Sequence, residues 1–168
     1  MDFSKATSVP SLATTNTFNN TNNTFKIKVP NALYDTWKAA TNWSTYASQI
    51  VKASPGLQFT AKTAGSTIKL DAVGSPSPVS LKYRVNGGTF STYTIGDTIT
   101  LTNIGDNVLF AAGTSGNETF STDSSNYYRF AMTGWLHVED SPEYLLDESG
   151  TVNSIPDYAF YGLFENCV

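Results

Sequence analysis

The chain has 168 residues, of which 40% are hydrophobic, 13% aromatic and only 14% charged, with a formal net charge of −4. That length and apolar content suit one domain of ordinary size plus an arm, with Thr, Ser, Asn and Gly replacing the charged surface of a typical cytosolic enzyme. The single cysteine, Cys167, excludes a fold stapled by internal disulfides, and no stretch approaches the roughly 18 apolar residues of a membrane span.

Such a surface is the kind found on extracellular β-proteins and virus structural proteins. All ten Lys and Arg lie at or before Arg129, where they face seven acids for a net +3; the remaining seven acids follow with no base. The basic excess forms no dense stripe, so it reads as a solvated face and no nucleic-acid partner is expected. The opening MDFSKATSVPSLATT has no basic segment leading into an apolar one, so it does not read as a secretory signal. The expectation is a protein made and kept in the cytoplasm until something else exports or releases it.

Residues 1–30 are predicted to be an extended anchoring arm. Fourteen of them are Ser, Thr or Asn, too polar a composition to build a core. Phe3, Val9, Leu12, Phe18, Phe25, Ile27 and Val29 are spaced as isolated anchors. To be ordered, the arm has to be held, either as a strand added to its own sandwich or by docking onto a neighbouring subunit. Asn-x-Ser/Thr sequons at Asn19, Asn22, Asn42 and Asn117 are what chance supplies in so Asn- and Thr-rich a chain.

Residues 31–56 are predicted to be an amphipathic helix and linker. Asn31 offers an N-cap after Pro30, and Leu33, Trp37, Ala40, Trp43, Ala47 and Ile50 recur three or four apart over a helix spanning 31–53. Ser54-Pro55-Gly56 ends it. Such a stripe calls for a surface to lie on, with Leu33 and Trp37 as its interface residues; that surface is its own β-domain, a seam in an oligomer, or a partner.

Residues 57–138 alternate with period two: Leu57/Phe59/Ala61, Ile68/Leu70, Val79/Leu81/Tyr83/Val85, Ile99/Leu101, Val108/Phe110/Ala112 and Tyr128/Phe130/Met132. Asn86-Gly87-Gly88 marks a turn that tolerates positive φ. TIGDTITL and TNIGDNVLF echo each other, each a Gly-Asp turn launching a strand. Short strands with a turn about every ten residues predict a mainly β fold, an antiparallel Ig-like or jelly-roll-like β-sandwich, carrying the arm, one α-helix and a repeat-like C-terminal segment. Residues 139–168 are an acidic linker, in which Ser141-Pro142-Glu143 can start a helix, followed by SIPDYAFYGLFENCV, which reads like the start of a leucine-rich repeat.

GLQFTAKTAGSTIKLDAVGSPSPVSLKYRVNGGTFSTYTIGDTITLTNIGDNVLFAAG resembles the β-sandwich that precedes the repeats in BspA-like leucine-rich-repeat surface proteins of gut bacteria and their phages. FAMTGWLHVEDSPEYLLD resembles the linker that follows, and IPDYAFYGLFENC the first repeat. The likeness covers about residues 57–168. It implies surface display and adhesion and supplies no active-site residues. Residues 1–56 lie outside it, and a polar arm with a helix in place of a signal fits a phage structural protein, which leaves the cell by lysis. Either further repeats follow or the single unit caps the sandwich edge.

The remaining candidates for chemistry are sparse. His137 stands alone as a histidine and cannot form a histidine metal cluster, and Cys167 lacks a nucleophile's partners. Glu139-Asp140 and Asp147-Glu148 could furnish a carboxylate pair for glycoside hydrolysis, but read first as a solvated acidic loop. Tyr127, Tyr128, Trp135, Tyr158 and Tyr161 could stack on sugars, but read first as packing. No phosphate loop or Ser-His-Asp set is visible. The sequence therefore predicts a non-catalytic virion structural protein, a head-fibre, decoration or tail-associated component. Its arm would contact other virion subunits, its sandwich would face host-surface glycans or proteins, and a homo-oligomer is open. No cofactor, metal or membrane insertion is expected. The alternatives are a bacterial cell-surface adhesin and a polysaccharide-active enzyme.

Overall fold

The computed structural model describes residues 1–4, 6–19, 25–30, 33–53, 56–114, 116–147 and 155–165. Asn22, the Asn31 cap, the Ser54-Pro55 stop, Glu148 and Cys167 lie outside them. The chain divides into two compact units, Met1–Ser54 and Pro55–Val168.

The first unit corrects two expectations. The helix predicted over 31–53 is only α1, Tyr34–Ala39, followed by a 3-10 helix, Trp43–Tyr46, and a strand. Ala40 turns extended and Asn42 takes a left-handed conformation at φ 66°, which an Asn side chain tolerates better than most. The β-branched Ile50-Val51 then joins strand β2, Ile50–Lys52, parallel to β1, Ile27–Val29, with Ile27 opposite Ile50. A parallel pair needs a crossover of a dozen or more residues, and the two short helices supply it.

The polar arm, expected to be held by its own sandwich or by a neighbouring subunit, makes its described contacts within its own unit. Phe3 N donates to Lys28 O and Lys28 N to Met1 O at 2.8 and 2.9 Å, laying the first residues alongside β1. Further on, Trp43 Nε1 donates to Pro10 O at 2.7 Å, Asn42 Nδ2 to Leu12 O at 2.6 Å, and the Tyr46 hydroxyl to Thr15 O. Three side chains in one short stretch thus satisfy the carbonyls of a segment with little regular structure. Ring packing supplies the apolar share: Trp37 and Trp43 lie 4.5 Å apart, Phe3 is 5.0 Å from Trp37, and Phe18 is 5.0 Å from Tyr46.

The second unit is the sandwich; the predicted alternation holds over residues 57–61, 66–70 and 99–101, whereas residues 108–112 are buried at every position. Its strands are β3 Leu57–Ala61, β4 Ser66–Val73, β5 Leu81–Val85, β6 Ser91–Tyr93, β7 Ile99–Leu101, β8 Asn107–Ala112, β9 Ser121–Asp123, β10 Asn126–Thr133 and β11 Leu136–Asp140. They form a four-stranded sheet, β7-β4-β10-β9, and a five-stranded sheet, β11-β3-β8-β5-β6, with every pairing antiparallel. Of the expected core, Phe59, Ile68, Leu70, Leu81, Ile99, Leu101, Val108, Phe110 and Phe130 are buried. Tyr83 and Met132 are half-buried against that core.

Turn chemistry follows the sequence. Asn86 and Gly87 both have positive φ, and Gly88 N closes the turn on Val85 O, the two-residue geometry that suits strand twist. The two echoing Gly-Asp segments are the same turn used twice: Gly96 and Gly105 share φ 92°, and Asp97 and Asp106 each donate N–H back to the residue three before. Pro142 opens a 3-10 helix, Pro142–Leu145, and Tyr144, Leu145 and Leu146 are buried.

Residues 155–165 run in successive turns against β9 and β10. Phe120 N donates to Ala159 O, Phe130 N to Leu163 O and Ser121 Oγ to Tyr161 O, at 3.0, 2.8 and 3.0 Å, while Ala159 and Leu163 enter the core.

Candidate functional site

The nine residues expected to anchor the protein come together, but in a core rather than along an interface. Ile27, Val29 and Trp37 are buried at its centre, and Phe3, Val9, Leu12, Phe18, Phe25 and Leu33 pack around them. Each isolated apolar residue of the arm finds a ring or an aliphatic wall inside its own unit.

The acidic candidates are dispersed. Glu139 is exposed on β11, whereas Asp140 ends the strand with a left-handed backbone at φ 70°. Glu139 accepts from Gln58 Nε2 at 3.2 Å, with His137 Nε2 3.4 Å away on the exposed face. Among the described residues no three His, Cys, Asp or Glu side chains converge to hold a metal, and no helix is long and apolar enough to cross a membrane. Of the tyrosines, Tyr128 is buried with its hydroxyl on Ser77 O. Tyr127 lies edge-on to Tyr161 at 5.3 Å, and its hydroxyl donates to Glu165 Oε2 at 2.5 Å. That hydrogen bond, with burial and the charge beside it, pushes the Tyr127 phenol above its ordinary value.

Two large apolar side chains stand out at one end of the sandwich. Trp135 is 74% exposed and Ile104 69%. Both sit on turns at the end toward which β3, β5, β7 and β10 run, opposite the end where Gly56 leads into β3. Four connections meet there: residues 62–65, 86–90, 102–106 and 134–135.

Hydrogen bonds stitch these connections together. Ala61 N donates to Asp106 O and Gly105 N to Ala61 O, both at 2.8 Å. Lys62 N donates to Trp135 O at 2.8 Å and Trp135 N to Thr63 Oγ1 at 3.4 Å. Asn86 Nδ2 donates to Asp106 Oδ1 at 3.0 Å, and Asn107 N to Asn86 Oδ1 at 2.8 Å. Asp106 Oδ2 also accepts from Asn103 N at 2.8 Å. The bonds from the Asn103 backbone and the Asn86 side chain hold the Asp106 carboxyl below the usual aspartate range.

The result is a fixed polar frame from which an indole and an isoleucine project. Such side chains can offer apolar contact and stacking. Trp135 belongs to the aromatics singled out from sequence. Ile104 and the Asn86–Asp106 network were missed, and the available signal was an isoleucine inside a turn, between Asn103 and Gly105, where no strand could bury it.

Comparison with known proteins returns no matching family model, no matching curated protein and no matching solved structure.

Proposed function

We propose that this chain is a non-catalytic structural protein of a virion, attached through its N-terminal unit and presenting the sandwich as an adhesion module. One observation carries the reading: Trp135 and Ile104 project from hydrogen-bonded turns at the end of the sandwich away from where the chain enters it. Loops held on a rigid sandwich are a common place for recognition. An exposed indole offers a flat face to a sugar ring or to an apolar side chain of a host-surface protein. The resemblance of residues 57–168 to BspA-like surface proteins supports the same use. The N-terminal unit has its own core, which suits a separate attachment module.

The test follows three forms of the protein in its native background: the full chain, a form lacking residues 1–53, and Trp135→Ala. The full chain and Trp135→Ala are expected to co-sediment with particles while the truncated form stays behind. Binding of Trp135→Ala particles to host cells should fall by about tenfold, the worth of an anchor of ~1.4 kcal/mol. Equal incorporation of the truncated form would overturn the attachment role. Recovery of the full chain in the cell envelope, without particles, would favour the bacterial adhesin.

A further inference from the structure

The five-stranded sheet ends in β11, which among the described residues is paired with β3 alone. The register shows which main-chain groups that pairing uses. Lys62 N donates to Trp135 O, and bonded pairs recur every second residue, so His137 and Glu139 bond to Thr60 and Gln58. Leu136 and Val138 therefore direct their N–H and C=O groups away from β3, toward the open edge.

The side chains sort the same way. Val138 lies opposite the buried Phe59, in the core-facing row, yet it is 39% exposed. His137 and Glu139 share the outer face, with side chains 54% and 43% exposed. Native edges are commonly protected by proline, lysine, a bulge or an inward-pointing charge; β11 contains neither proline nor lysine, its register against β3 is unbroken, and in the row of Val138 it carries a charge only at its last residue, Asp140.

We propose that β11 is a self-association edge, pairing antiparallel with β11 of a second copy about a two-fold axis at Val138. In that register Val138 exchanges its two outward main-chain bonds with its counterpart and covers its exposed side chain. His137 falls opposite the partner's Glu139, and Glu139 opposite the partner's His137, at the non-bonded positions where side chains approach most closely. Sliding by one step in either direction that keeps outward groups paired sets His137 against His137 or Glu139 against Glu139. Only the register centred on Val138 matches imidazole with carboxylate on both sides, and this self-complementarity points to a second copy as the occupant. The symmetric, isologous contact closes on itself. A five-residue edge is small beside the ~1,200 Å² of a lasting interface, so the association is weak, with Kd on the order of 10–100 μM.

Sedimentation velocity of the full chain across a concentration series tests this. The unaltered protein should show a reversible monomer–dimer equilibrium. Glu139→Lys removes the carboxylate that faces the imidazole, and His137→Glu sets carboxylate against carboxylate; each should weaken it about tenfold or more, and combining them, which sets Lys against Glu, should restore it. Val138→Pro removes an N–H that β3 does not use, and should leave a monomer that melts as before. If the proline variant unfolds, the exposed charge variants still decide. A protein monomeric at all concentrations, a dimer indifferent to Glu139→Lys, or a double variant without rescue would each overturn the proposal.

Discussion

The two units reach a buried core by different routes. In the sandwich, every second residue of β3 and β4 is buried over most of their length, and the core is a direct copy of local alternation. Among the described residues of the N-terminal unit the strands are three residues long and α1 is six. There, seven aromatic side chains from distant positions (Phe3, Phe18, Phe25, Tyr34, Trp37, Trp43 and Tyr46) pack around Ile27, Val29 and Ile50. One unit is held by ladders with side chains filling between them, the other by rings with the backbone caught around them.

That difference can be broken open by substitution, and the largest effect is expected at Trp37. Trp37→Ala removes a fully buried indole from between Phe3 and Trp43 and should cost about 3–5 kcal/mol. For a small unit that is most of its stability. Hydrogen exchange should show amides of residues 1–53 losing protection while those of β4 and β10 keep theirs. Loss of protection in both would mean that the units do not unfold separately.

Leu101→Ala makes the reciprocal cut. Leu101 is fully buried in the sandwich core, and its truncation should cost about 2–5 kcal/mol, lowering the calorimetric transition of the sandwich. The amides of β1 and β2 should be unaffected.

Asn117 comes next. Its side chain accepts from Ser80 N at 2.6 Å and donates to Ser80 O and Leu145 O at 2.9 and 2.7 Å, clamping two loops of the sandwich. Asn117→Ala should cost about 2–3 kcal/mol, because the stranded loop groups lose partners as well. A denaturation midpoint equal to that of the unaltered protein would remove the clamp from the account. With its amide so engaged, the Asn117 sequon reads as structural, and Asn42 is used similarly in the N-terminal unit.

The smallest effect is expected at Asp106, and it is a matter of pH. Hydrogen bonds to the ionised carboxylate depress its pKa in the folded protein. The stability it contributes is therefore present above the ordinary aspartate value and is lost as pH falls through the lower folded value. Asp106→Asn should be less stable than the unaltered protein near neutrality, and the two melting curves should converge in acid below about pH 4. A gap that stays constant with pH would assign the effect to shape instead of charge.

The same contrast explains what could be read from the sequence. Phe59, Ile68, Leu70, Leu101 and Phe130 were legible because side-chain direction in a strand repeats every two residues, so burial appears as a local pattern. Asn86-Gly87 and the two Gly-Asp turns were legible because positive φ selects residue types. The short α1 was not, because the spacing of Leu33, Trp37, Ala40 and Trp43 satisfies a helical period equally well when the chain breaks at Asn42. What decides is the capture of Pro10, Leu12 and Thr15 carbonyls thirty residues away, and no local window contains that information. The projecting pair Trp135 and Ile104 was half legible: the residues can be seen in the sequence, whereas their common end of the sandwich comes only from the strand directions.

The placement of the three tryptophans also gives each unit its own optical signature. Trp37 and Trp43 are buried edge-to-face at 4.5 Å, close enough for their indole transitions to couple, so the N-terminal unit should show a strong far-ultraviolet circular dichroism couplet and blue-shifted emission. Trp135, alone in the sandwich and open to water, should emit to the red and be quenched freely by iodide. Unfolding of the first unit can then be followed by the disappearance of the couplet, and occupancy of the sandwich tip by protection of the red emission, in one cuvette and without any label.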